Sequence, residues 1–124
     1  MVHDAPQRKS AASLEENLKK ALTELLVLTL LSQREYYIGE LTATLYEKSD
    51  GALNIVFPYS AVYRLQQSAY ISESQKRNAP DGRRRQYLQI TEDGRAYLKE
   101  LLKIYKNFSA GVDAVLIGGE KQHE

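Results

Sequence analysis

Arg83, Arg84 and Arg85 stand in a row at the mouth of a short alternating stretch, Tyr87-Leu88-Gln89-Ile90, and Lys76 and Arg77 precede them across a Pro-Asp-Gly sequence. Between Ile71 and Ile90 five Lys/Arg residues meet two acids, Glu73 and Asp81, a local excess of +3 in a chain of net charge +1. Charge concentrated at one place in a nearly neutral molecule suits a polyanion that touches only that place. Guanidinium forks match phosphate oxygens and guanine edges, and a cationic, mobile hairpin tip suits phosphates or a narrow minor groove. A second set is Tyr59, Ser60, Tyr63 and Arg64, which avoid the apolar side of a helical segment. Taken alone, an arginine run is more often a solvated surface, and tyrosines at this spacing more often pack than read bases. The elements that position them must decide.

Other chemistry is excluded early. The chain has no cysteine, and its two histidines, His3 and His123, fall in expected tails. Thiolate sites, disulfides and His-based acid–base work therefore have no material, and no metal or cofactor is expected. Nothing sets a base beside a nucleophile, so the chain is not expected to be an enzyme. The longest apolar run, "LLVLTLL" from Leu25 to Leu31, is too short for a bilayer, and "MVHDAPQRKS" lacks the apolar centre of a signal peptide. A cytoplasmic protein with no membrane partner is expected. At 124 residues it is one domain by size.

Along the chain, residues 1–12 read as a flexible arm. Ser13-Leu14-Glu15-Glu16 has capping-box spacing and opens a helix, α1, from Leu14 to Ser32 whose second half is apolar nearly all round. A second helix, α2, runs over Ile38–Lys48 with Leu41, Leu45 and Tyr46 inward and Gly51 as its left-handed stop. A third, α3, spans roughly Pro58–Ser68 with Ala61, Val62 and Leu65 as its apolar side. Tyr70–Lys76 (β1) and Arg84–Ile90 (β2) form a hairpin through Pro80-Asp81-Gly82, where Pro fixes φ and Gly accepts positive φ. Thr91 caps a last helix, α4, with Glu92 and Asp93 on its N-terminal dipole. That helix carries Leu98, Leu101, Tyr105, Phe108, Val112 and Val115 at alternating intervals of three and four, a heptad seam. The expected fold is mainly α with a two-stranded β wing: a winged helix-turn-helix in the order α1-α2-α3-β1-β2-α4. Its divisions are a winged helix-turn-helix unit over 13–90, a dimerisation helix over 91–117 and a flexible tail over 118–124.

From about Leu22 to Leu98 the sequence resembles the PadR family of bacterial transcriptional regulators. Three segments carry the likeness: "LLVLTLLSQREYYIGEL", "YSAVYRLQQSAYI" and "GRRRQYLQITEDGRAYL". The last is the most specific, since turn, cationic strand and helix cap fall in one run. Departures are Ile38-Gly39 where the family has Gly-Tyr, Ser60 for Pro, Leu88 for a second aromatic, and Ala69 for Gly, at which a less strained turn is expected. The short C-terminal part resembles the small subfamily, whose members dimerise through their first and last helices.

The expectation is a homodimeric, DNA-binding repressor acting on a palindromic operator. Tyr59, Ser60, Tyr63 and Arg64 face the major groove, Arg64 toward a guanine edge, and Lys76, Arg77, Arg83, Arg84 and Arg85 serve the backbone or minor groove. Leu98, Leu101, Tyr105, Phe108 and Val112 build the dimer seam with Leu18 and Leu22 of the first helix. The resemblance also implies a small aromatic effector, for which Leu101, Leu102, Tyr105 and Phe108 could form a slot where two Tyr105 rings approach across the two-fold axis. The competing reading is a winged-helix protein–protein adaptor without sequence-specific DNA binding, whose wing is only solvated.

Overall fold

The structure, a computed structural model, describes residues 5–56 and 58–122. The elements follow the expected order: α1 (Ala12–Leu31), α2 (Ile38–Lys48), α3 (Tyr59–Gln67), β1 (Ile71–Asn78), β2 (Arg84–Ile90) and α4 (Glu92–Gln122). The second half of α1 is the centre of the core. Val27, Leu28, Leu30 and Leu31 are all buried, because α2, α3, β2 and α4 each pack on a different side of it. Leu41 and Leu45 of α2, Val62 and Leu65 of α3, Ile71 and Leu88 of the hairpin and Leu98 of α4 close around that segment.

The start of α1 differs from the expected capping box. The N-cap position is Ala11, just after Ser10, whose Oγ accepts the Ala12 N–H at 3.1 Å, and Ser13 lies inside the helix. Two alanines after Ser10 favour helix, so the first turn forms upstream. Glu15 and Glu16 then pair with Lys19. Tyr46, expected inward, is exposed, and its ring covers Gly51 at the end of α2.

Helices α2 and α3 end in the same way. After α2, Gly51 N–H donates to Tyr46 O and Asp50 N–H to Glu47 O, with positive φ at both Asp50 and Gly51. After α3, Tyr70 N–H donates to Leu65 O at 2.9 Å and Ala69 N–H to Gln66 O at 3.0 Å. This is a Schellman stop, and it places Ala69 at φ 58°. The less strained turn expected there is absent: the alanine keeps the left-handed conformation that costs a non-glycine residue about 1–2 kcal/mol.

The hairpin pairs Ile71 with Ile90 and Asn78 with Arg84, two residues beyond the expected end of the first strand. The register shifts between Glu73 and Lys76, where Ser74 and Gln75 bulge. The turn closes as expected, with Gly82 at φ 83° and Ala79 N–H bonded to Arg83 O. A third segment joins the sheet: Tyr36 bridges Leu88 through two backbone hydrogen bonds of 3.4 and 2.8 Å.

Thr91 caps α4 as expected, its Oγ1 accepting the Gly94 N–H at 3.0 Å. The same hydroxyl donates to Ala69 O, and Thr91 N–H donates to Tyr70 O at 3.0 Å. The helix crosses Gly111 and continues through the expected tail to Gln122; residues 123 and 124 lie outside the described residues. Each glycine costs a helix only about 1 kcal/mol, and no left-handed stop with a partner forms there to end it.

Two substitutions at the α3–wing–α4 junction have opposite expected signs. A Cβ on Gly94 would stand 2.0 Å from the Tyr70 carbonyl oxygen, which the Thr91 bond fixes. Gly94→Ala gains about 1 kcal/mol of helix propensity but is expected to lose about 3 kcal/mol or more to the clash. Ala69→Gly relieves the left-handed strain and is expected to stabilise by about 1 kcal/mol. Urea unfolding of both variants against the parent checks the pair.

Candidate nucleic-acid interface

Helix α3 buries Ala61, Val62 and Leu65 and turns the rest of its surface outward. Tyr59 and Tyr63 are 58 % and 62 % exposed. Ser60 and Arg64 lie on the flank nearer α1, where they border a shallow depression with Lys20 and Thr23. Arg64 is not free there: its Nε donates to Glu24 Oε2 of α1 at 3.1 Å. The expected α3 set thus shares one exposed surface, with its cation held by an acid that spacing did not reveal.

The five wing cations divide into two groups. Arg77 and Arg85 are register partners on the strand pair and are both engaged within the protein. The Arg77 guanidinium lies 3.5 Å over the Tyr87 ring and donates to Glu35 Oε1 at 3.0 Å. Ser74 Oγ donates to the same oxygen at 2.6 Å. Arg85 pairs with Asp81 at 3.0 Å and lies 5.1 Å from the Tyr37 ring, which meets Tyr87 edge-on. The Arg85 Nε is enclosed without an acceptor, so the Asp81 pair and the Tyr37 ring hold this side chain. Lys76, Arg83 and Arg84 are exposed, and among the described residues their side chains make no hydrogen bond or ion pair. The cationic tip expected from the sequence is therefore divided between two roles. Two of its cations brace the hairpin against the α1–α2 connection, and three extend from it.

The electrostatics agree with that division. The Ser74 hydroxyl and then the Arg77 guanidinium hold the Glu35 carboxyl below the usual carboxylate range. The Arg83 backbone N–H, followed by the Arg85 side chain, does the same for Asp81. Tyr36 is buried, with the Arg34 guanidinium 3.7 Å over its ring, and Tyr37 packs on Tyr87. Both are taken up in support of the wing.

A family model described as the transcriptional regulator PadR-like family matches residues 27–100, more than half of the chain. The chain belongs to this family. The PadR-like fold extends to solved structures. A PadR-like transcriptional regulator from Bacillus cereus is 25% identical, with a TM-score of 0.69 over 81% of this chain and 96% of that one. A transcriptional regulator from Streptococcus is 28% identical, with a TM-score of 0.68 over 79% and 95%. One from Clostridium thermocellum, at 22% identity, has a TM-score of 0.68 over 86% and 96%. A comparison with curated proteins gave no match. The matched relatives are regulators of transcription, and the chain is not an enzyme.

In this PadR-like chain the remaining predicted residues lie on α1 and α4. Leu98, expected in the seam, is buried in the protomer's own core, because α4 starts against α1. Leu102, like Leu101, is partly buried against the same core. Leu18, Leu22, Leu101, Tyr105 and Phe108 instead line an apolar groove between α1 and α4 of a single protomer. Phe108 is 72 % exposed, and Val112 lines a shallower apolar face further along α4 with Val115 and Leu116. Among the described residues no helix is long and apolar enough to cross a membrane.

The bracing acid carries a pH prediction. Glu35 binds its partners as a carboxylate, so its stabilisation is complete above the ordinary carboxylate value and is lost as pH falls through the depressed one. That window lies below about pH 4. The site is partly exposed, which keeps the contribution at or under about 1 kcal/mol. Glu35→Gln is expected to melt slightly lower than the parent near neutral pH and to lose less stability on acidification. Thermal melts across the acid range check both.

Proposed function

We propose that this PadR-like protein is a homodimeric DNA-binding repressor that places α3 in the major groove of a palindromic operator and rests its wing on the backbone or minor groove. The observation that carries the reading is the division of α3. A helix of nine residues buries one face and presents Tyr59, Ser60, Tyr63 and Arg64 on the other, inside a fold whose relatives regulate transcription. Lys76, Arg83 and Arg84 add three exposed cations on a braced hairpin, the arrangement expected of a surface that meets phosphates.

A second copy supplies the cover that α1 and α4 need. Leu14 and Leu18 on α1, with Ile104, Phe108 and Val115 on α4, are each more than half exposed, which is costly for so many apolar side chains in water. A two-fold dimer buries them, pairs two α3 helices and makes a palindromic operator the natural target. The α1–α4 groove, of about 310 Å³, also has the size and apolar lining for a small aromatic effector. Repression follows from occupancy of the operator, in the cytoplasm where the DNA is. The same apolar faces would serve an adaptor, but an adaptor has no use for three exposed cations beside an exposed α3.

The test separates affinity from sequence choice. Arg83→Ala/Arg84→Ala is expected to weaken binding to selected and random duplexes alike, and to lower the salt slope by about one for each phosphate left without its cation. Tyr63→Ala is expected instead to narrow the gap between selected and random DNA. Gel shifts across a salt series measure both. A wing variant that loses only selected binding would reverse the roles, and a parent protein that selects no duplex would favour the adaptor.

A further inference from the structure

Arg64 is the only charged residue of α3. On an open helix surface its side chain would sample many rotamers, and binding a base would have to order it. Glu24 narrows that freedom by holding one edge of the guanidinium. It projects from the rigid stretch of α1 between buried Thr23 and Val27, and among the described residues Arg64 is its only ion-pair partner. The Glu24 side chain is 29% exposed against 56% for Arg64, so the acid is the fixed member of the pair. Its charge also reaches Tyr97 of α4, where it adds to burial in raising the phenol. The carboxylate therefore lies where α1, α3 and α4 come together.

An acid beside a DNA-reading helix repels phosphate, so it must either hold Arg64 back or aim it. The atoms used distinguish the two. Glu24 takes Nε, and neither Nη of Arg64 has a partner among the described residues. The free edge of the guanidinium is the Nη1–Nη2 fork, which can donate to O6 and N7 of one guanine.

We propose that Glu24 is a positioning residue for sequence choice: it fixes Arg64 with its Nη1–Nη2 fork presented to one guanine in each half-site. The proposal rests on α3 occupying the major groove. The pair is built before DNA arrives, so the guanine meets an ordered fork.

The experiment uses the full-length protein and a duplex enriched by it from a random-sequence pool. Each guanine of that duplex is replaced in turn by 7-deazaguanine, which removes the N7 acceptor and leaves the pairing intact. In the parent, one guanine per half-site is expected to show a loss of about tenfold. Arg64→Ala abolishes that response, and Arg64→Lys, which keeps the charge without the planar fork, is expected to weaken it. Glu24→Gln, with a melting temperature near the parent's, is expected to shrink the response to about threefold or less while binding to random DNA is unchanged or tighter. A full guanine response in Glu24→Gln, with none in Arg64→Ala, would overturn the positioning role. Tighter binding of the selected duplex by Glu24→Gln would also overturn it, since Glu24 would then be holding Arg64 back. A full response retained in Arg64→Ala would remove Arg64 from the groove, and with it the reading on which the proposal rests.

Discussion

The arrangement of this protein depends on one backbone carbonyl. The Tyr70 oxygen accepts the Thr91 N–H and lies where any side chain on Gly94 would have to be. Within a few residues of that oxygen or of its Thr91 partner α3 ends, β1 begins, β2 finishes and α4 starts. The Thr91 hydroxyl ties the junction twice more, to the Ala69 carbonyl and to the first turn of α4. Helix α3, the wing and the long C-terminal helix are thus set relative to one another by local bonds, before the shared core around α1 is counted. The strain at Ala69 is part of the same arrangement: the left-handed residue turns the chain sharply enough for Tyr70 to reach Thr91.

From that junction the wing needs a second anchor, and its arginines supply it. Arg77 and Arg85 occupy paired positions on the hairpin and meet Tyr87 of β2, Glu35 and Tyr37 of the α1–α2 connection and Asp81 of the turn. Side by side they would repel, but Glu35 and Asp81 each neutralise one, and the rings of Tyr87 and Tyr37 receive the planar guanidinium groups. A lysine at either position would keep the charge and lose the stacking. The row of three arginines therefore does two jobs: Arg85 holds the hairpin down, and Arg83 and Arg84 reach outward.

Features set by neighbours in sequence were legible. The bounds of α2 and β2, the Pro-Asp-Gly turn and the Thr91 cap all depend on residues within a turn of each other, where propensity and patterning act directly. The start of α1 went the other way because Ser10 competed with Ser13 and the intervening alanines decided it. Ala69 misled because a left-handed alanine is unfavourable locally, and only the bonds of Thr91 and Tyr70 offset it. The site divided along the same line. Its cations were visible as a cluster, but the acids that hold them lie far away in the chain, Glu24 forty residues from Arg64 and Glu35 forty-two from Arg77. No spacing rule links such pairs. Leu98 shared the apolar periodicity of the seam, and periodicity alone does not say which face of a two-sided helix meets its own protomer.

The central claim is that α3 and the wing together form the DNA-facing surface while α1 and α4 face a second copy. Amide hydrogen exchange of the protein, free and bound to a duplex it selects, tests this directly, because protection reports which backbone segments binding quiets. The account predicts DNA-dependent protection in α3 and in the hairpin from Asn78 to Arg84, with the α4 segment around Phe108 protected equally with and without DNA. Protection gained along α4 and absent from α3 and the wing would contradict it.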